Sequence, residues 1–150
     1  MDLYDWVFVL CAVVFNLLIA GIFVAQKKDR QKLTRTLGIL WLSLAIPLSV
    51  VFVRYLIAGR EMWITICFGF ILTYMLVELL LDYVFKVPFR EKKITHIPYI
   101  ILEYMALFGL IGISFDINRT WGLCVSIAFW ILLGCLIYLY WGKKKSQSEA

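Results

Sequence analysis

MWITICFGFILTYMLVELLLDYVF, residues 62–85, decides the class of this chain. It is long enough to cross a bilayer core, which takes about 20 residues as helix. It carries two carboxylates, Glu78 and Asp82, and no basic residue. It does not alternate polar and apolar residues, so it is not a barrel strand. In lipid every backbone group must be paired internally, which leaves a helix.

Four other stretches read the same way. They run from about Tyr4 to Ala25, Leu37 to Ile57, Ile97 to Ile117 and Trp121 to Tyr140. The composition agrees: 63% of the residues are hydrophobic and the mean hydropathy is +0.90. A soluble fold of this size has too little interior to hide so much apolar surface. The expected fold class is therefore all-α: a single transmembrane domain over residues 1–150, built as a five-helix bundle.

The basic residues orient it. Twelve of the fifteen fall in three clusters: Lys27, Lys28, Arg30, Lys32 and Arg35; Lys86, Arg90, Lys92 and Lys93; and Lys143, Lys144 and Lys145. If each apolar stretch crosses the membrane, all three clusters land on one side. That is the positive-inside pattern, and it predicts the N-terminus outside and the C-terminus in the cytoplasm. The remaining three, Arg54, Arg60 and Arg119, fall on the other side with Asp2 and Asp5. The stretch Gln26–Thr36 reads as an inner loop, and Lys143–Ala150 reads as a disordered tail.

The net charge of +5 does not point to nucleic acid. It sits in short juxtamembrane segments, and no groove-reading or stacking motif accompanies it. Lys27, Lys28, Arg30, Lys32, Arg90, Lys92 and Lys93 are instead expected to meet anionic headgroups of a cell membrane. Cys11, Cys67, Cys124 and Cys135 lie inside apolar stretches without a Cys-x-x-Cys pair, and read as small hydrophobes. The first segment lacks a basic leader and a small-x-small cleavage site, so it reads as a permanent span.

The chemistry concentrates in carboxylates within apolar helix. Glu78 and Asp82 are four residues apart, hence on one face of the third helix. Glu103 lies in Ile-Leu-Glu-Tyr-Met-Ala on the fourth. At 1.5 Å per residue, Glu78 and Glu103 sit about 10 Å and about 9 Å in from the cytoplasmic edge. The matching depth predicts that they face each other, with Tyr74 and Tyr104 orienting them and Asp82 and His96 at the entrance. A buried charge is costly, on the order of 2.5–3.5 kcal/mol at a helix centre, so such groups face protein or a wet cavity. Two close carboxylates do not both ionise cheaply; a shared proton or a bound cation relieves them. The alternative is structural: Glu78 hydrogen-bonded across the helix seam, and Asp82 reaching out to water.

Other polar groups read as structural. Asn16, mid-helix, is expected to bond across to another helix. Arg54 snorkels to the outer headgroups or pairs with Asp116. Pro47 removes a backbone donor and crowds the Ser43 carbonyl, so the second helix should kink there. Ala106, Gly109 and Gly112 make a small-residue stripe for close approach, with Gly134 a candidate neighbour. Asn118-Arg119-Thr120 matches a glycosylation sequon, but in a very short turn. His96 is the only histidine. No His-Glu-x-x-His or Glu-x-x-His pair accompanies it, so a metal is not specified, and no cofactor motif is present.

No Walker loop, Gly-x-Ser-x-Gly or potassium-filter sequence occurs. In size, helix count and aromatic load the chain resembles the tryptophan-rich sensory protein family. The leading expectation is a protein that binds or translocates a proton, a cation or a small cationic or amphipathic molecule. The alternatives are a membrane enzyme acting on a lipid or isoprenoid with the same carboxylates, and a scaffold subunit. A homo-oligomer fits any of them.

Overall fold

The computed structural model describes the backbone of residues 1–86 and 93–148, and the side chains of all of these except 93, 95 and 142–148. The described residues are all helical apart from short turns. Five helices are long and apolar enough to cross a membrane, by length and composition.

Helix α1 runs Leu3–Lys27. The second span is broken into α2 (Gln31–Ser43) and α3 (Ala45–Ile57). The third is α4 (Met62–Glu78), continued by a π-helical segment, Leu79–Val84. Then come α5 (Lys93–Ile117) and α6 (Arg119–Ser148). Each helix packs on its neighbour in sequence, α6 returns to α1, and α1 also touches α5. The bundle is a closed ring, drawn together across its middle by α1.

Apolar side chains from every span fill the interior, among them Phe8, Phe15, Leu48, Phe68, Leu110 and Leu132, all at 2% exposure or less. Ring contacts link them: Phe8 to Phe68 at 5.2 Å, and Phe15 to Trp41 at 5.0 Å. The exterior is equally apolar. Trp130 is 69% exposed and Ile127 61%. A continuous greasy perimeter of this kind is compatible with lipid as solvent.

The expected helix limits need several corrections. The inner loop Gln26–Thr36 is almost wholly helix, with α2 starting at Gln31 rather than Leu37. Lysine, glutamine and arginine are good helix formers and extend a span beyond its apolar part. The reversal takes only Lys28–Arg30, with Asp29 at φ 54°, a left-handed conformation that Asp tolerates better than most residues. Helix α5 begins at Lys93, so Pro98 lies inside it rather than at its start. Helix α6 does not end at Tyr140 but continues to Ser148, past three lysines that suit a helix C-terminus. Arg90 and Lys92 lie outside the described residues, as do the side chains of Lys93 and Lys143–Lys145.

The break in the second span lies where Pro47 acts. Proline has no N–H to return to the Ser43 carbonyl. The chain tightens instead, with Leu44 N–H donating to Trp41 O at 3.1 Å. The Ser43 hydroxyl donates to the Leu40 carbonyl at 2.6 Å. Close approach of α4 and α5 follows from the small-residue stripe. A Cβ on Gly109 would stand 3.2 Å from Cys67 Cβ and 3.3 Å from its carbonyl oxygen, so a larger residue would press α4 and α5 apart by a few tenths of an ångström. Gly134, expected as a partner of that stripe, has nothing within 4 Å of its position.

Candidate functional site

The chemistry divides between the two ends of the bundle. At the basic end, where α1 turns into α2, a cavity of about 530 Å³ opens between α1, α2 and the π-helical segment. Its inner lining includes Ile22, Gly38, Tyr83 and Glu78. Its wall includes Gln26, Thr34, Arg35 and Asp82, and its rim Asp29, Arg30, Gln31 and Lys86. These levels follow from the helices: Gly38 is seven residues into α2 from Gln31, about 10 Å along the axis.

The π-helical segment shapes this cavity. Phe85 N–H donates to Leu80 O at 2.8 Å, five residues back. The wider turn keeps both Glu78 and Asp82 on the lining, as their four-residue spacing suggested. Such segments recur at functional sites, where a widened turn re-aims side chains. Tyr83 packs its hydroxyl directly over Gly38, and a Cβ there would overlap it. Glycine at 38 thus leaves room for the Tyr83 hydroxyl against α2.

Behind the cavity lies a chain of hydroxyls. Tyr99 on α5 donates to Glu78 Oε2. The Tyr74 and Tyr99 hydroxyl oxygens are 3.3 Å apart. A phenol has one hydrogen, and that of Tyr99 is committed to Glu78, so Tyr74 donates to Tyr99. The relay therefore runs Tyr74 to Tyr99 to Glu78, from the buried core to the cavity. Tyr74 is set by rings on both sides, Trp41 at 5.4 Å and Tyr99 at 5.7 Å. His96 stacks on Tyr99 at 6.4 Å.

The sequence-predicted residues are thus only partly gathered. Glu78 and Asp82 share the cavity, and Tyr74 reaches Glu78 through Tyr99. The tyrosine that touches Glu78 is Tyr99, not Tyr104, whose ring lies beside Phe108 at 6.4 Å. Glu103 is half-buried on α5, one turn beyond Tyr99. Among the described residues it does not line the cavity. Nor, among them, do three His, Cys, Asp or Glu side chains come together as a metal site. Lys27 reaches across to α6 at the surface: its ammonium donates to the Tyr138 carbonyl and lies 3.7 Å from that ring's centre.

The opposite end is closed by an ion cluster that sequence reading missed. Asp5 is 5% exposed. Its Oδ1 accepts from the Tyr55 hydroxyl at 2.7 Å and from the Arg60 guanidinium at 3.0 Å. Its Oδ2 accepts from the Asp2 backbone N–H at 3.0 Å, as part of the α1 capping box. Arg60 also reaches Asp116 at 3.7 Å. Arg60, not Arg54, is therefore the partner of Asp116. Arg54 lies over the Tyr4 ring instead, at 5.4 Å. Trp6 meets Trp121 edge-on at 5.1 Å and ties α1 to α6 there.

Asn16 departs from expectation too. Its Nδ2 donates to Ala12 O at 2.9 Å within α1, not across to another helix. Its Oδ1 is buried without a hydrogen-bond partner, as are Trp41 Nε1 and His96 Nδ1. Asn118 caps α6, its side-chain oxygen accepting from Thr120 N–H at 2.9 Å.

No protein-family model matches this chain, no curated protein matches it, and no solved structure matches it. Its likeness to the tryptophan-rich sensory family therefore goes no further than size, helix count and aromatic load.

Proposed function

We propose that this chain is a small multi-pass membrane protein, with its basic end in the cytoplasm, that binds or translocates a proton, a cation or a small cationic or amphipathic molecule. Glu78 is the residue that meets the positive charge. Asp82 lies along the approach, Tyr99 holds the Glu78 carboxylate in place, and Glu103 adds negative potential behind it.

One observation carries the reading: a half-buried carboxylate, oriented by a phenol, on the lining of a half-open cavity between α1, α2 and the π-helical segment. A carboxylate aimed only at bracing helices would lie in a dry seam, as Asp5 does. A cavity of this size takes a small organic molecule as readily as an ion. The approach from the basic end places Asp82 before Glu78, so a positive group that enters meets two carboxylates in turn.

The reading is tested by titrating purified protein with butylammonium in neutral detergent, and by proton flux in liposomes. Glu78→Gln is expected to abolish both while leaving the melting temperature near that of the parent. Unchanged binding and unchanged flux in Glu78→Gln overturn the proposal.

A further inference from the structure

The cavity lining is not uniformly acidic. Glu78 is at its inner end and Asp82 on its wall, whereas Arg30 and Lys86 stand at its rim. Arg35 on the wall and Asp29 at the rim add one charge of each sign, so among the described residues the lining is balanced. A balanced lining gives a bare cation little net field. It favours a ligand that carries both signs with the spacing of the lining. The order along the axis fixes the polarity of that ligand: positive end inward, negative end at the rim.

We infer that this cavity takes a small water-soluble zwitterion, its ammonium against Glu78 and Asp82 and its anionic group against Arg30 and Lys86. The inference rests on the proposed cation-binding role of Glu78 and gives it a substrate class. Depth argues against the headgroup of an embedded lipid. A zwitterionic lipid carries its phosphate on the side of its acyl chains and its amine toward water. The cavity has the reverse order, with acid deep and base at the mouth. A free molecule entering ammonium-first from the basic end matches it. Gln26 and Thr34, between the two charged zones, offer neutral hydrogen bonds to a short linker.

Three probes of one chain length separate the contributions: 6-aminohexanoate, hexylammonium and hexanoate. They are titrated calorimetrically into the full chain in neutral detergent, with protein-free micelles subtracted. The zwitterion is expected to bind at least tenfold tighter than either singly charged probe. Arg30→Gln/Lys86→Gln should bring 6-aminohexanoate down to the level of hexylammonium without weakening hexylammonium. Glu78→Gln should weaken both; if that variant does not fold, Asp82→Asn carries the same test.

Equal binding of hexylammonium and 6-aminohexanoate, both lost in Glu78→Gln, overturns the zwitterion and leaves the cation reading standing. Equal binding of all probes by parent and Glu78→Gln, or no binding at all, removes both. A final arm adds phosphatidylethanolamine in nanodiscs. A rise in melting temperature seen only there, and absent in Glu78→Gln, assigns the cavity to a lipid and overturns the inference.

Discussion

Asp5 and Glu78 are both carboxylates in apolar helix, and the protein treats them differently. Asp5 is sealed at one end of the bundle, with a phenol, a guanidinium and a backbone amide all directed at it. Glu78 is half-buried at the other end, accepting from the Tyr99 phenol and lining a cavity. The difference teaches that acidity inside a membrane-like bundle has two uses. Surrounded by donors, a carboxylate fastens helices; on the lining of a cavity, it stands where a ligand can reach it. The arginine and tyrosine that satisfy Asp5 come from α3 and the turn after it. The side-chain hydroxyl that reaches Glu78 comes from α5.

The contrast breaks if mutation at the two ends acts alike. The largest expected effect on stability is from Asp5→Ala, which leaves Arg60 and Tyr55 without their shared acceptor. Arg60 keeps contact with water, so the loss is chiefly that of the buried Tyr55 acceptor and the partly buried ion pair, about 2 kcal/mol, read as a lowered midpoint in chemical unfolding. Glu78→Gln should change that midpoint by less than about 1 kcal/mol, since an amide still accepts from Tyr99. Its effect is on ligand affinity, where losing one member of a charge pair removes about 2 kcal/mol or more.

Gly38→Ala comes next. The added methyl displaces the Tyr83 hydroxyl, and overpacking of this kind costs about 1–3 kcal/mol. It should also weaken binding of butylammonium, because Tyr83 lines the cavity. Tyr99→Phe should cost about 1 kcal/mol in stability and reduce affinity several-fold by freeing the Glu78 carboxylate to turn. Smallest is Asp116→Asn. Its link to Arg60 is long and partly exposed, so a change within about 0.5 kcal/mol is expected. A large effect there would mean that Asp116 shares the clasp equally with Asp5.

The spans were legible because a bilayer needs long apolar runs, and each run in this sequence is long enough by itself. The break near Pro47 was legible too, since a missing N–H has a local consequence. Azimuth was not. Depth placed Glu78 and Glu103 at one level, but only packing decides which face each presents. That is why Tyr99, rather than Tyr104, proved to be the phenol at Glu78. The π-helical segment was also invisible: Leu-Leu-Leu-Asp-Tyr-Val carries no sequence mark of an added residue per turn. Asp5 was read as an orientation signal because it lies near the chain start. The clue was present in Tyr55 and Arg60, spaced to close over it once α1 and α3 pack side by side.

The most direct test of the central claim is carboxyl labelling of the folded protein. A water-soluble carbodiimide with glycine ethyl ester is applied in neutral detergent, and peptides are mapped by mass spectrometry. Glu78 and Asp82 are expected to be modified well ahead of Asp5, and to be protected by butylammonium. Modification of Asp5 as fast as Glu78, or a Glu78 that stays unmodified until the protein unfolds, would contradict the distinction between a ligand-facing and a helix-fastening carboxylate.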